Sequence, residues 1–165
     1  MQTDLATLFY AAQDHYLSDG EITNFKHQID TLRLRVEVYE CLRDREIEIF
    51  QPIANYLEEA FAQENPQVLE QALKHWLSVV RYSAFATLLN NPEYLKHRLL
   101  EWLTDIVAAH KMQEIETYLY EFLQLKLSEI LTQDQLALLN PFLELAKETL
   151  FNPTHTIDTD IEATI

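Results

Sequence analysis

With 165 residues, 48% of them apolar, and a single glycine, the chain can form one domain that buries about two thirds of its unfolded surface, and it lacks the glycine-rich turns of sandwiches, barrels and nucleotide-binding sheets. Twelve basic and 27 acidic residues leave a formal charge of −15, which repels nucleic acid and anionic membrane surfaces and suits basic or neutral partners. Its one cysteine, Cys41, has no internal disulfide partner, the start MQTDLATLFY has no basic signal-peptide segment, and no apolar run approaches the roughly 20 residues of a membrane span.

These properties predict an all-α, cytoplasmic protein that neither binds nucleic acid nor inserts into a membrane. The first predicted helix, about Thr3 to His15, sets Leu5, Leu8 and Ala12 on one side with Phe9 and Tyr16 beside them. Ser18 and Glu21 have the spacing of a reciprocal helix cap, with Asp19 and Gly20 in the turn, so a second helix is expected from about Asp19. Ile22, Phe25, Ile29, Leu32, Val36, Tyr39 and Leu42 continue it at three/four spacing to the charged stretch Arg43-Asp44-Arg45-Glu46. Two helices in a hairpin cannot bury both faces alone, so a partner or the rest of the chain must cover the first.

A third helix is predicted from Ile47 to Ala62, with Ile49, Ile53, Tyr56, Leu57 and Phe61 inward and Pro52 absorbed in its early turns. Asn65-Pro66 reads as a cap followed by proline at the first helical position, opening a central helix from Pro66 to Leu89. Val68, Ala72, Trp76 and Val79 share one face, and Leu69, Leu73, Val80 and Ala84 widen it beyond a surface stripe. Such a helix lies inside the molecule, and in a globin-like pile of helices it is where a flat cofactor would sit. Asn90-Asn91-Pro92 repeats the cap signal before a helix with Leu95, Leu99, Trp102, Ile106 and Ala109 on one face. A further helix carries Ile115, Leu119, Phe122, Leu125 and Ile130. Thr132 and Gln135 cap the last one, which runs through Leu136, Leu139, Leu143, Ala146 and Leu150 and is expected to bend at Pro141. Residues 152–165 alternate threonines and acids without helical period and read as a mobile acidic tail behind a single domain over 1–151.

Motifs that would carry chemistry are missing. Of the six histidines no two are three or four apart, and none has a glutamate three residues before it, so neither a zincin pair nor a helix-borne di-iron site is expected. One glycine cannot make a P-loop, a dinucleotide fingerprint or a nucleophile elbow. Cys41 reads as a small buried apolar residue, and the acidic pairs Glu58-Glu59 and Glu114/Glu116 read as solvated helix surface. No metal site and no enzymatic activity are expected from these residues.

The stretches AAQDHYLSDGEITNFKHQIDTLRLRVEVYECL, QALKHWLSVVRYSAFATLLNNPEYL and LLEWLTDIVAAHKM together resemble the phycobiliprotein family, allophycocyanin subunits most closely. In that family a short helical hairpin precedes six globin-like helices, and its turn has the pattern that stands here as Tyr16-Leu17-Ser18-Asp19-Gly20-Glu21-Ile22. The resemblance spans about Asp4 to Leu150, with the hairpin and the start of the long helix at about 3–30. Aligned on Arg81, the family's bilin-bearing cysteine falls at Ala72, where no thioether can form. The arginine that pairs with a bilin propionate falls at Lys74, which keeps the charge without the bidentate fork. The aspartate that contacts the pyrrole nitrogens falls at His75. The connection from Phe61 to Ala72 is also shorter than the family segment that closes over the pigment. At the family's dimer contact, an aspartate that meets a partner's arginine and tyrosine, this chain has Ala11, Arg81 and Phe85, with Asp14 nearby in sequence.

The resemblance implies a globin-like fold with an N-terminal helical hairpin and no covalent bilin. The expected function is that of a pigment-free interaction or regulatory protein of a photosynthetic cell. It would act through the hairpin surface (Leu5, Leu8, Phe9, Ala12, Tyr16, Ile22) with Arg81 and Phe85, on phycobilisome components, another protein partner or a second copy. Its expected place is the cytoplasm, at phycobilisomes or the thylakoid surface. The alternative expectation is a carrier or sensor that holds bilin or haem noncovalently through Lys74, His75 and Arg81. A third reading is a bilin lyase or attachment chaperone.

Overall fold

The computed structural model describes residues 5–100 and 112–151. They form α1 (Leu5–Asp14), α2 (Asp19–Asp44), α3 (Glu46–Ala60), α4 (Pro66–Leu89), α5 (Pro92–Leu100), α6 (Gln113–Ile130) and α7 (Gln133–Phe151), and no strand occurs among the described residues. The predicted residues Trp102, Ile106 and Ala109, and the tail over 152–165, lie outside this set.

Local signals set most of the boundaries. The Ser18 backbone N–H donates to Glu21 Oε2 (2.7 Å) and the Glu21 N–H donates back to Ser18 Oγ (3.3 Å), closing the start of α2 as its sequence predicts. Thr132 and Gln135 repeat this exchange at α7, with bonds of 3.0 and 3.3 Å. Asn65 Oδ1 accepts from the Gln67 N–H at 3.0 Å with Pro66 beginning α4. Asn90 ends α4 in the left-handed region, φ 51°, a conformation asparagine tolerates better than most residues with a Cβ. The last helix runs through Pro141 without a break.

The central helix α4 is inside the molecule, as its breadth of apolar residues predicts. It packs against α2, α3, α5, α6 and α7, and Ala72, Trp76, Val79 and Ala86 are fully buried. The Trp76 ring meets Tyr120 of α6 (centroids 5.2 Å apart) and Phe151 of α7 (6.3 Å), so one side chain joins three helices. Facing α3, the fully buried Leu57 and Ile53 continue the same core, which α6 closes with Leu119, Leu123 and Leu127.

Two helices turn differently from their sequence pattern. On α2 the buried residues are Gln28, Arg35, Val38 and Leu42, while Ile22, Ile29 and Val36 are exposed. On α6 Leu125 points to solvent and Glu116 is buried among Ile115, Leu119 and Tyr120, so Glu116 is not the solvating acid that its sequence suggests. The reason on α2 is polar. Arg35 donates through Nη1 to the carbonyl of Leu88 (3.0 Å) and through Nη2 to the carbonyl of Gln28 (2.9 Å), and Asn90 Nδ2 donates to Gln28 Oε1 (3.1 Å). A guanidinium thus occupies the C-terminal end of α4, where the helix dipole and unpaired carbonyls favour a cation. Burial pulls its pKa below the ordinary arginine value, and its acceptors are the carbonyls of Leu88 and Gln28 and the Gln28 amide oxygen.

Arg35→Leu removes donors from buried carbonyls and is expected to cost about 1–3 kcal/mol in denaturant unfolding. Ile29→Ala on the exposed side of the same helix is expected to change stability by only about 0.5 kcal/mol or less.

Candidate functional site

The three residues predicted to meet a tetrapyrrole do not converge. Seven residues bring an α-helix back to within about 20° of its start, so Lys74 and Arg81 share the side of α4 that faces α3, whereas His75 is turned about 100° away, toward α6. The exposed Lys74 Nζ lies 2.6 Å from Glu70 Oε1, one turn back on its own helix. Arg81 donates through Nε to Glu46 Oε2 (2.7 Å) and through Nη2 to Glu46 Oε1 (2.6 Å). The arginine that sequence comparison leaves without its expected carboxylate therefore finds one in its own chain, at the start of α3. Beside this fork a cleft of about 300 Å³ opens between α2 and α4, lined by Tyr39, Arg43 and Val80 among others.

On the opposite side, His75 Nδ1 lies 3.6 Å from Glu116 Oε1. That is beyond a good hydrogen bond, and among the described residues neither atom has a partner. The Glu116 side chain is only 4% exposed. A buried polar pair with open valences can accept a ligand group or a water, because unsatisfied buried atoms carry a desolvation cost of about 1–3 kcal/mol each. Sequence reasoning missed Glu116 because its neighbour Glu114 and its place in the first turn of a helix suggested a solvent-facing acid. Ala72 is fully buried.

The hairpin residues divide. Leu8 is buried and Leu5 half-buried, while Phe9, Ala12, Tyr16 and Ile22 are exposed, with Tyr16 entirely so. Phe9 also meets Phe25 of α2 edge-on at 6.5 Å, which pins α1 against the longer helix. The exposed apolar residues extend past the predicted set, since Ile29 (46% exposed) and Val36 stand on the line of Ile22 at intervals of seven residues. Near the far end of this line Tyr39 meets Phe85 of α4 (6.3 Å), and Phe85 meets Tyr94 of α5 (5.3 Å). Exposed apolar residues along α2 are thus followed by an aromatic group that links α2, α4 and α5.

Glu21, Glu46 and, through Lys74, Glu70 are held below the ordinary carboxylate range. The Ser18 backbone N–H, then the Ser18 hydroxyl and His15, act on Glu21, and the Arg81 guanidinium acts on Glu46. On α6, burial and then Glu144 push the Tyr120 phenol upward.

Among known proteins, the family model described as Phycobilisome protein matches residues 9–150 of the chain. No curated protein and no solved structure matches it.

Because the folded-state pKa values of Glu21 and Glu46 lie below the ordinary 4.5, their contributions to stability are present above that pH and are lost as pH falls through the lowered values. Unfolding followed from pH 6 to about pH 2 is expected to show this acid loss, and Glu46→Gln, which keeps the shape of the side chain, is expected to flatten it.

Proposed function

Because the chain belongs to the phycobilisome protein family, whose fold is globin-like and all-α, we propose that it is a pigment-free member that works by protein–protein contacts within light harvesting. The family ties the protein to photosynthesis and to association with phycobilisomes, and its members are in general not enzymes. Among the described residues no helix is long and apolar enough to cross a membrane.

The observation that carries this reading is the exposed stripe of Ile22, Ile29 and Val36, continued by Phe85. Three large aliphatic side chains partly exposed along one line of a helix support a contact with another protein. Ala72 supports the pigment-free part, since a methyl group in the closed core can neither form a thioether nor admit one. The partner surface comprises Phe9, Tyr16, Ile22 and Phe85 with the stripe on α2, and its occupant is a phycobilisome component or a second copy of the chain. Arg81, already forked onto Glu46, orders α3 against α4 beside that surface and keeps part of its donor capacity for a partner.

A second reading, noncovalent binding of bilin or haem, is favoured by one observation, the open valences of His75 Nδ1 and Glu116 Oε1. A ring nitrogen or a haem iron is chemistry that such a pair accepts, without help from Lys74, which is bound to Glu70 on another side of α4.

In sedimentation velocity the Ile29→Asp/Val36→Asp protein is expected to bind its partner, or itself, about tenfold or more weakly with its helix content unchanged. An unaltered complex would remove the stripe from the interface. The purified protein is expected to show no covalently held visible absorbance. Titration with haem and biliverdin tests the second reading: a saturable spectral shift lost in His75→Ala supports it, and the absence of any shift dismisses it.

A further inference from the structure

The antiparallel pair α3 and α4 leaves a second surface, remote in chemistry from the hairpin stripe. Two hollows of about 270 and about 490 Å³ lie between these helices and share Ala54, Glu70 and Leu73, so they form one trough. Its α3 side runs from Ile47 to Phe61, which at 1.5 Å per residue is roughly 20 Å, the length of about four helical turns. The floor is apolar, from Phe50, Leu73 and Leu77, and at its middle the small Ala54 lets another backbone approach closely. Ile47, at one end, is 79% exposed and has no role in the chain's own core.

Acidic residues outnumber basic ones on the rim. Glu58, Glu64 and Glu70 line one half of the trough and Glu46 the other, and Lys74 is the cation of these two linings. Lys74 is bound to Glu70, and Glu46 is bound to Arg81, which leaves Glu58 and Glu64 as exposed carboxylates with no cation among the described residues, Glu64 Oε1 accepting from the Asn65 N–H (3.2 Å). A groove between two helices, with an apolar floor of this length, takes a third helix through residues at i, i+3, i+4 and i+7. The acidic rim selects what flanks that apolar face.

We infer that the α3–α4 trough docks an amphipathic helix of about four turns from a basic partner protein, its apolar face on Phe50, Ala54 and Leu73 and its lysines or arginines on Glu58 and Glu64. Charge decides against the other occupants. A second copy carries the same formal charge of −15, and residues 152–165 contain Asp158, Asp160 and Glu162 without one lysine or arginine. Either would bring acid to an acidic rim.

The probe is a synthetic leucine/lysine amphipathic helix of about four turns, compared with its leucine/glutamate counterpart, against the full chain by fluorescence anisotropy. The lysine peptide is expected to bind, with affinity falling as salt rises, and the glutamate peptide is not. Glu58→Lys/Glu64→Lys is expected to weaken binding about tenfold or more, whereas Glu121→Lys/Glu148→Lys, with the same net charge on α6 and α7, leaves it within about twofold. Ala54→Arg tests the floor separately: loss of binding with circular dichroism unchanged supports docking in the trough. Equal losses from the two charge-reversed pairs overturn the inference in favour of nonspecific attraction. A tenfold gain on deleting residues 152–165 overturns it in favour of the chain's own tail. A dimer that Ala54→Arg dissociates overturns it in favour of a second copy. The Ile29→Asp/Val36→Asp protein, altered only on the hairpin stripe, is expected to bind the peptide as the unaltered chain does.

Discussion

The architecture depends on how the C-terminal end of α4 is closed. Arg35 donates to the carbonyl of Leu88, the backbone N–H groups of Asn90 and Asn91 donate to Thr87 and Ala86, and Gln28 accepts from both the Arg35 guanidinium and the Asn90 amide, so α2 is tied to the turn that ends α4. The consequence travels along α2. With Gln28 and Arg35 pointing inward at an interval of seven residues, the positions one residue on, Ile29 and Val36, are turned about 100° away and reach the surface. The exposed apolar stripe is thus the geometrical counterpart of a polar latch on the buried side of the same helix.

The latch and the stripe connect the fold to the family's biology. A phycobilisome protein exists to be assembled with others, and a hairpin whose long helix keeps its aliphatic line outward is suited to that task. The central helix uses its own polar residues differently. Ala72 is a buried methyl group, Lys74 and Arg81 are engaged by Glu70 and Glu46, and the His75 imidazole is turned toward Glu116. Its side chains are divided between packing, ion pairs at the surface, and one buried polar pair without a hydrogen bond among the described residues.

Most of the charge of −15 lies in side chains that keep an apolar molecule soluble, but its distribution is not uniform in effect. Along α2 the apolar stripe is the dominant feature, and a contact there is led by hydrophobic burial. Along the α3–α4 trough the floor is apolar and the rim acidic, so attraction is both hydrophobic and electrostatic. The two surfaces differ in the partner chemistry they select, which is the physical basis for treating them as separate.

By itself the sequence determined the helices, their caps and the family. Ser18 with Glu21, Asn65 with Pro66, and Thr132 with Gln135 act within a few residues of themselves, and the breadth of apolar residues on Pro66 to Leu89 marks a buried helix wherever it is placed. It also determined that no thioether can form at Ala72. Only the tertiary structure decided which side of α2 faces inward, because a periodic pattern states angular spacing and not which neighbour fills the space, and Gln28 and Arg35 were buried together with Val38 and Leu42. For the same reason Glu116 came to lie beside His75, Leu125 turned to solvent, and Arg81 found Glu46 across a separation in sequence that no local pattern spans.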